Sequence, residues 1–190
     1  LSKKGKIVVL VAPSGSGKST MANKLLADFD RLRFSVSATT RKPRKGEEHG
    51  KHYYYLTKQE FREKIEAGDF LEWEEFYNGN LYGTLREVVE NQRDKGYFVL
   101  LDIEVLGAEN VKKMYGSDAL CIFIQPPSLK VLKQRLKDRG TENDSTLATR
   151  LERAEKEIAY ADQFDLRVIN DNVDTAYAQI KAAVSKFMNA

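Results

Sequence analysis

Residues 12–19 read Ala-Pro-Ser-Gly-Ser-Gly-Lys-Ser, followed by Thr20. The run matches the pattern Gly-x4-Gly-Lys-[Ser/Thr] except that Ala12 stands at its first position. Each part has a chemical use. Gly15 and Gly17 allow positive φ, which turns backbone N–H groups inward around an anion. A helix starting here adds the positive end of its dipole. Lys18 supplies a point charge for β- and γ-phosphates, and Ser19 a ligand for Mg²⁺. Residues 12–20 are therefore expected to bind the phosphates of a nucleoside triphosphate. Such a loop leaves the acceptor of any transferred group open.

A second set of groups suits a second anion. Arg41 and Arg44 are planar forks three residues apart, with Pro43 stiffening the link, an arrangement fit for bidentate capture of a phosphate dianion. Tyr53 and Tyr82 offer hydroxyl donors to the same anion. The stretch 41–52 carries five Lys/Arg against two Glu, which taken alone also fits a solvated loop or a nucleic-acid patch. Asp102 closes an apolar run, where an acid serving Mg²⁺ directly or through water would sit.

These groups need a rigid frame. The run from Gly5 to Ala12 reads as a buried strand, bounded by Gly and Pro, and Lys18 to Phe29 as a helix. Tyr97–Asp102, Ala119–Ile124 and Leu166–Ile169 read as further strands. Helices are expected between and after them: from a capping box at Thr84-Leu-Arg-Glu87 to before Gly96, over 104–115, over 129–138 with Ser128 as cap, over Leu147 to Ala161, and through Ala176, Ile180, Ala183 and Phe187. Strands alternating with helices imply a parallel sheet covered on both faces. Residues 34–83 break the rhythm. Strands at 53–56 and 70–76, a short helix opened by Thr57-Lys-Gln-Glu60, and a hairpin turn at Asn78-Gly79 point to a small, mainly antiparallel insert. Residues 139–146 read as a polar loop.

The chain has 190 residues, 42% apolar and 31% charged, enough for a real core and too apolar for disorder. Apolar runs such as Ile7 to Ala12 are far shorter than the ~20 residues a membrane helix needs, so no membrane partner is expected. Net charge is +3, from 31 basic and 28 acidic residues, which predicts no strong attraction to nucleic acid. Cys121 is the single cysteine, so no disulfide framework exists and a cytoplasmic setting is the default. His49 and His52 are the only histidines, leaving little room for histidine-based catalysis. They read as bystanders, and Trp73 and Phe76 as packing residues.

The stretch from Phe34 to Tyr55 closely resembles the signature of the guanylate kinase family. Phe70-Leu-Glu-Trp73, Asn80-Leu-Tyr-Gly-Thr84, Leu101-Asp-Ile-Glu104 and Arg139-Gly-Thr141 also resemble family motifs, in the family's order, over roughly residues 5–188. The resemblance implies transfer of the γ-phosphoryl group of ATP to GMP with Mg²⁺. By the same resemblance Arg41, Arg44, Tyr53 and Tyr82 hold the GMP phosphate. Glu72 reads guanine, whose N1–H and 2-amino donors meet two carboxylate oxygens. Ser37 and Thr84 match hydroxyls on the guanine edge, and Glu47 a carboxylate lining that pocket. Asp102 and Glu104 match acidic positions. The family usually has Asp and Gln where this chain has Glu104 and Leu106. Arg135, Arg139 and Arg150 match lid arginines that close over ATP, and Asn170 a segment near adenine. Arg153 and Arg167 read as ordinary surface arginines. The expected catalytic set is Lys18, Arg41, Arg135, Arg139 and Arg150.

The implied architecture is a phosphate-loop α/β core (1–33, 84–134 and 163–190) with a GMP-binding insert (34–83) and a short helical lid (about 135–162). A monomer or small homo-oligomer is expected. Two other readings compete. Non-catalytic scaffold modules on this fold typically lack an intact phosphate loop, which is present here. A kinase for another nucleotide would not need Glu72 together with Ser37 and Thr84.

Overall fold

Ile7–Val11 forms β1, and every residue of it is buried. A strand of alternating direction buried on both sides belongs at the centre of a covered sheet. β2 (Leu32–Phe34), β7 (Phe98–Asp102), β8 (Ala119–Gln125) and β9 (Leu166–Ile169) complete that sheet in the order β2-β7-β1-β8-β9, with every pairing parallel. These features come from a computed structural model, which describes residues 4–76, 79–138 and 144–190.

The alternation along β1 sorts the core into two layers. Ile7, Val9 and Val11 pack with Val89 of α3 (Arg86–Asp94) and with Val105, Ala108 and Val111 of α4 (Val105–Tyr115). Val8 and Leu10 face Met21, Ala22 and Leu25 of α1 (Lys18–Asp28) and Ala176, Ile180 and Val184 of α7 (Val173–Asn189). Each such fully buried aliphatic side chain stabilises the fold by about 1.5–3 kcal/mol relative to exposure. Cys121 lies in this core with no exposure, as its apolar neighbours imply.

The second sheet has the order β4-β3-β6-β5, from β3 (Ala38–Thr39), β4 (Tyr54–Tyr55), β5 (Phe70–Glu75) and β6 (Leu81–Leu85). Two of its pairings are antiparallel and the β3–β4 pairing is parallel. α2 (Lys58–Glu66) closes it, with Phe61 stacked on Phe70 at 4.3 Å between ring centroids. The capping box expected at Thr57 and Glu60 is present. Two helices, α5 (Leu129–Asp138) and α6 (Asp144–Ile158), pack on each other through Leu132, Leu136, Leu147 and Ala154.

Several expectations change. The capping box at Thr84 does not form: Thr84 is in β6, and α3 begins at Arg86 behind Leu85, which makes no side-chain cap. The strand alternation turns the Thr84 hydroxyl toward Glu72 instead. β2, β3 and β6 escaped the sequence reading because two or three residues, or a glycine-interrupted run, carry little periodicity. The helix expected through Ala161 ends at Ile158, and Ala161 opens a separate turn of 3₁₀ helix, Ala161–Gln163, that packs on the main core. Residues 144–146 are helical rather than loop. Boundaries at 83/84 and 134/135 fall inside β6 and α5, each a continuous element. Asn78 and residues 139–143, including Arg139, lie outside the described residues. β5 and β6 are nevertheless joined as expected near Gly79, whose N–H donates to the Phe76 carbonyl at 2.8 Å.

Candidate active site

The loop between β1 and α1 carries the first anion site. Gly15 and Gly17 have φ of +91° and +96°, and no residue other than glycine has positive φ among the described residues. Ala12 therefore occupies the pattern's first position without backbone strain. A Cβ on Gly17 would lie 2.5 Å from Asn170 Nδ2, so close approach as well as φ demands glycine there. Asn170 is 2% exposed, and its Nδ2 donates to the Ser16 carbonyl at 2.7 Å. It buttresses the loop from beneath. Ala12, Pro13 and Ser16 are buried, while Ser14, Ser19 and Thr20 are exposed.

Lys18 Nζ lies 2.6 Å from Asp102 Oδ1. Burial works against its charge, but Asp102 and Glu104 outweigh burial and hold the ammonium above its ordinary pKa. Asp102 sits at the C-terminal end of β7, beside the end of β1, because Leu10 and Asp102 are register partners. Two arginines of the helical pair converge on the same region. Arg150 Nη1 donates to Ser14 Oγ at 2.8 Å, and Arg135 Nη2 to the Asn170 carbonyl at 2.9 Å.

The second site is a cavity of about 370 Å³ between the two sheets. Ser37, Tyr53, Glu72, Tyr82, Asp102 and Glu104 line it. The Tyr53 and Tyr82 rings meet edge to face at 5.9 Å, and the Arg41 guanidinium lies 5.3 Å from the Tyr53 ring centroid. Glu47 faces Arg41: Nη1 and Nη2 donate to its two oxygens at 2.8 and 2.9 Å. The Arg44 N–H and Tyr55 hydroxyl add donors at 2.6 and 2.8 Å. These bonds, first from Arg41 and then from Arg44, pull the Glu47 carboxyl down to about 2. Glu47 thus orients Arg41. The Arg44 side chain is exposed. His52 also lines the cavity, and its Nδ1 accepts from the Glu48 N–H at 3.0 Å; His49 Nδ1 accepts from the Tyr55 N–H. Both histidines fasten this loop.

Glu72 reaches the cavity from β5 and accepts a hydrogen bond from Thr84 Oγ1 at 2.6 Å. Burial pushes its carboxyl up, Thr84 opposes this, and Glu74 and Glu104 push it further up. Its seat depends on Gly107 in α4. A Cβ there would lie 2.9 Å from Glu72 Cγ and 3.0 Å from Oε2.

Some site residues were not anticipated. Arg153, expected at the surface, is half-buried and bonds to Glu74, Glu104 and Glu157. The i,i+4 spacing of Arg153 and Glu157, and of Glu72 and Glu74 two apart on one strand face, was the available signal. Phe76 lines the cavity and meets Tyr82 edge to face at 5.1 Å. Trp73 is 47% exposed and lines an adjoining groove, so neither residue is plain core packing. Arg167 is a surface residue paired with Asp162.

A parallel sheet with a phosphate loop after its central strand, and a cavity whose Asp102 wall touches the loop lysine, is the arrangement of a phosphate-loop nucleotide kinase. The family model described as guanylate kinase matches residues 4–187. Among curated relatives, a guanylate kinase of Chlorobium chlorochromatii is 50% identical over 97% of this chain and 96% of its own length. One of Porphyromonas gingivalis is 47% identical over 96% and 98%. A crystal structure of guanylate kinase from Anaplasma phagocytophilum matches with a TM-score of 0.74 at 34% identity, covering 98% of this chain and 87% of that one. The chain belongs to the guanylate kinase family.

Proposed function

We propose that the protein transfers the γ-phosphoryl group of ATP to GMP, giving ADP and GDP. One observation carries the reading beyond family membership: Asp102 lines the acceptor cavity while its carboxylate touches the phosphate-loop lysine. Donor and acceptor sites thus share a wall, as direct transfer between two bound phosphates requires.

In this reading the loop backbone, Lys18, Ser19 and Thr20 hold the ATP phosphates, and Ala12, Pro13 and Ser16 contribute backbone only. Arg41, Arg44, Tyr53 and Tyr82 hold the GMP phosphate, with Arg41 leaving Glu47 or sharing its fork between carboxylate and phosphate. Glu72 accepts from the guanine N1–H and 2-amino group, with Thr84 and Ser37 beside it. Adenine presents an acceptor at N1, which the carboxylate repels. Arg135, Arg150 and Arg139 approach the transferring group from the helical pair and stabilise its charge. The acceptor is already an anion, so no strong general base is needed. The insert and the helical pair close over the nucleotides and exclude water, a competing acceptor.

The donor set suits Mg²⁺. Ser19 offers an exposed hydroxyl on the first turn of α1 and Asp102 a carboxylate, both hard oxygens. No group of three or more His, Cys, Asp or Glu fit for a metal occurs among the described residues. Ser19 and Asp102 would hold the ion together with the nucleotide, and it would supply positive charge against the phosphates. No helix among the described residues is long and apolar enough to cross a membrane, and the reading places the enzyme in the cytoplasm.

A coupled ADP-release assay across GMP, AMP, UMP and CMP tests the assignment. Selective turnover of GMP is expected; equal rates with AMP would overturn the guanine reading.

A further inference from the structure

Five glutamates line the groove between the acceptor cavity and α6; Glu152 pairs with Lys156, and the other four crowd one wall. Glu72 and Glu74 come from β5, Glu104 from the start of α4, and Glu157 from α6. One guanidinium answers three of them. Arg153 Nε donates to Glu157 Oε1 at 2.8 Å, and Nη2 donates to Glu74 Oε1 at 3.0 Å and to Glu104 Oε2 at 3.2 Å. Its flat face lies 5.6 Å from the Phe76 ring centroid. Glu104, one methylene longer than the Asp usual in the family, reaches this fork while lining the acceptor cavity.

The three partners lie on the helical pair, the small sheet and the rim of the main sheet. A single exposed ion pair contributes little. This one differs, because removing it leaves like charges facing one another across two moving parts. Lysine would keep the charge but not the planar fork that spans several carboxylates.

We propose that Arg153 is a positioning residue of the transfer reaction: from α6 it fixes Glu104 and Glu74 at the acceptor cavity and so couples the seating of the helical pair to binding of the acceptor base. This rests on the GMP kinase reading above. The Arg153 guanidinium bonds to Glu157, Glu74 and Glu104 and not to the phosphate loop or Lys18, so its direct contacts fall on the acceptor side. Without it, Glu104 and Glu74 lose their common cation, Glu157 is left buried without its donor, the helical pair stands off, and the base meets an unordered wall.

Steady-state kinetics with GMP and ATP varied separately test this on wild type, Arg153→Ala, Arg153→Lys, Glu104→Gln and the double variant Arg153→Ala/Glu104→Gln. Arg153→Ala is expected to raise KM for GMP about tenfold, the scale of one charge-assisted hydrogen-bond set, with KM for ATP within about twofold of wild type. Arg153→Lys should recover only part of the loss. In the Arg153→Ala background Glu104→Gln should add less than it does alone, the mark of two residues acting through one contact. A purely structural role would lower Tm and move both KM values together. If Arg153→Ala does not fold, Glu74→Gln, which nearly keeps volume, carries the expectation of a raised KM for GMP, and Arg153→Lys a smaller rise than the alanine variant. A GMP-active wild type whose Arg153 variants keep KM for GMP within about twofold, or show additive effects with Glu104→Gln, overturns the role of Arg153. A wild type inactive on GMP would overturn the function reading instead.

Discussion

The donor and acceptor sites bind the same kind of group by opposite means. The donor site is made mostly of backbone: two glycines at positive φ, a helix N-terminus and one lysine, all hung from the fully buried β1. The acceptor site is made mostly of side chains, borne on strands of two to six residues and a long loop. Backbone donors anchored in a packed core lose little freedom on binding. Side chains must be held by partners: Glu47 accepts from Arg41, Thr84 donates to Glu72, for which Gly107 leaves room, and Arg153 donates to Glu104. Rigidity comes to the donor site from burial and to the acceptor site from charge.

The comparison breaks most severely at Lys18, the one donor-site charge that the backbone cannot replace. Lys18→Ala should lower turnover on the order of 10²–10³-fold or more, the range seen when one group aimed at transition-state charge is removed. KM for GMP should change far less. A turnover within tenfold of wild type, in the ADP-release assay, would mean that the loop backbone alone carries the charge (about 1.4 kcal/mol per tenfold).

Glu72→Gln is the matching change on the acceptor side, and a smaller one. The amide presents a donor where the carboxylate presented an acceptor, against a base edge made of donors. The ratio of kcat/KM for GMP over AMP should fall on the order of 10²-fold, with KM for ATP unchanged. An undiminished ratio would assign base reading elsewhere in the cavity.

Gly107→Ala tests whether the acceptor site depends on its supports. The added Cβ would lie 2.9 Å from Glu72 Cγ, so either α4 shifts or the carboxylate leaves its seat. KM for GMP should rise by about three- to tenfold while ATP parameters hold, an effect of one displaced hydrogen-bonding group. Equal losses on both substrates would mean that α4 as a whole had moved.

The same contrast explains what the sequence made legible. The donor site could be read directly, because a strand, two glycines, a lysine and a helix are contiguous and their chemistry follows from local backbone geometry. The anion cluster of Arg41, Arg44, Tyr53 and Tyr82 is legible from residue chemistry, the base-side residues only by resemblance, and most of their supports not at all. Thr84 looked like a helix cap because Thr-x-x-Glu is a local pattern, while its actual partner, Glu72, is paired across two strands. Arg153 looked like a surface arginine because its partners Glu74 and Glu104 lie 79 and 49 residues away. The Asn170 bond to the Ser16 carbonyl spans 154 residues, and no local pattern announces it. Local chemistry is written in spacing, whereas tertiary partners of charged side chains are not.

The gentlest test concerns the charge that the acceptor site stores. Burial first, and then the nearby Glu104, push the Glu157 carboxyl up to about 7, against the pull of Arg153 and Lys18. A carboxyl raised in the folded state binds its proton more tightly there than in the unfolded chain, where its ordinary value is 4.5. The native state is therefore favoured by this group below the ordinary value, and the advantage is lost as pH rises through about 7. Glu157→Gln keeps an oxygen for Arg153 and removes the titration. Its Tm at pH 8 should exceed that of wild type by roughly 2–4 °C, the scale of about 1 kcal/mol in a chain of this size. Near pH 5, where wild-type Glu157 is already neutral, the two should nearly coincide. A wild type that loses no more stability than the variant between those pH values would show that Arg153 fully neutralises Glu157, and that the acceptor site carries no stored repulsion.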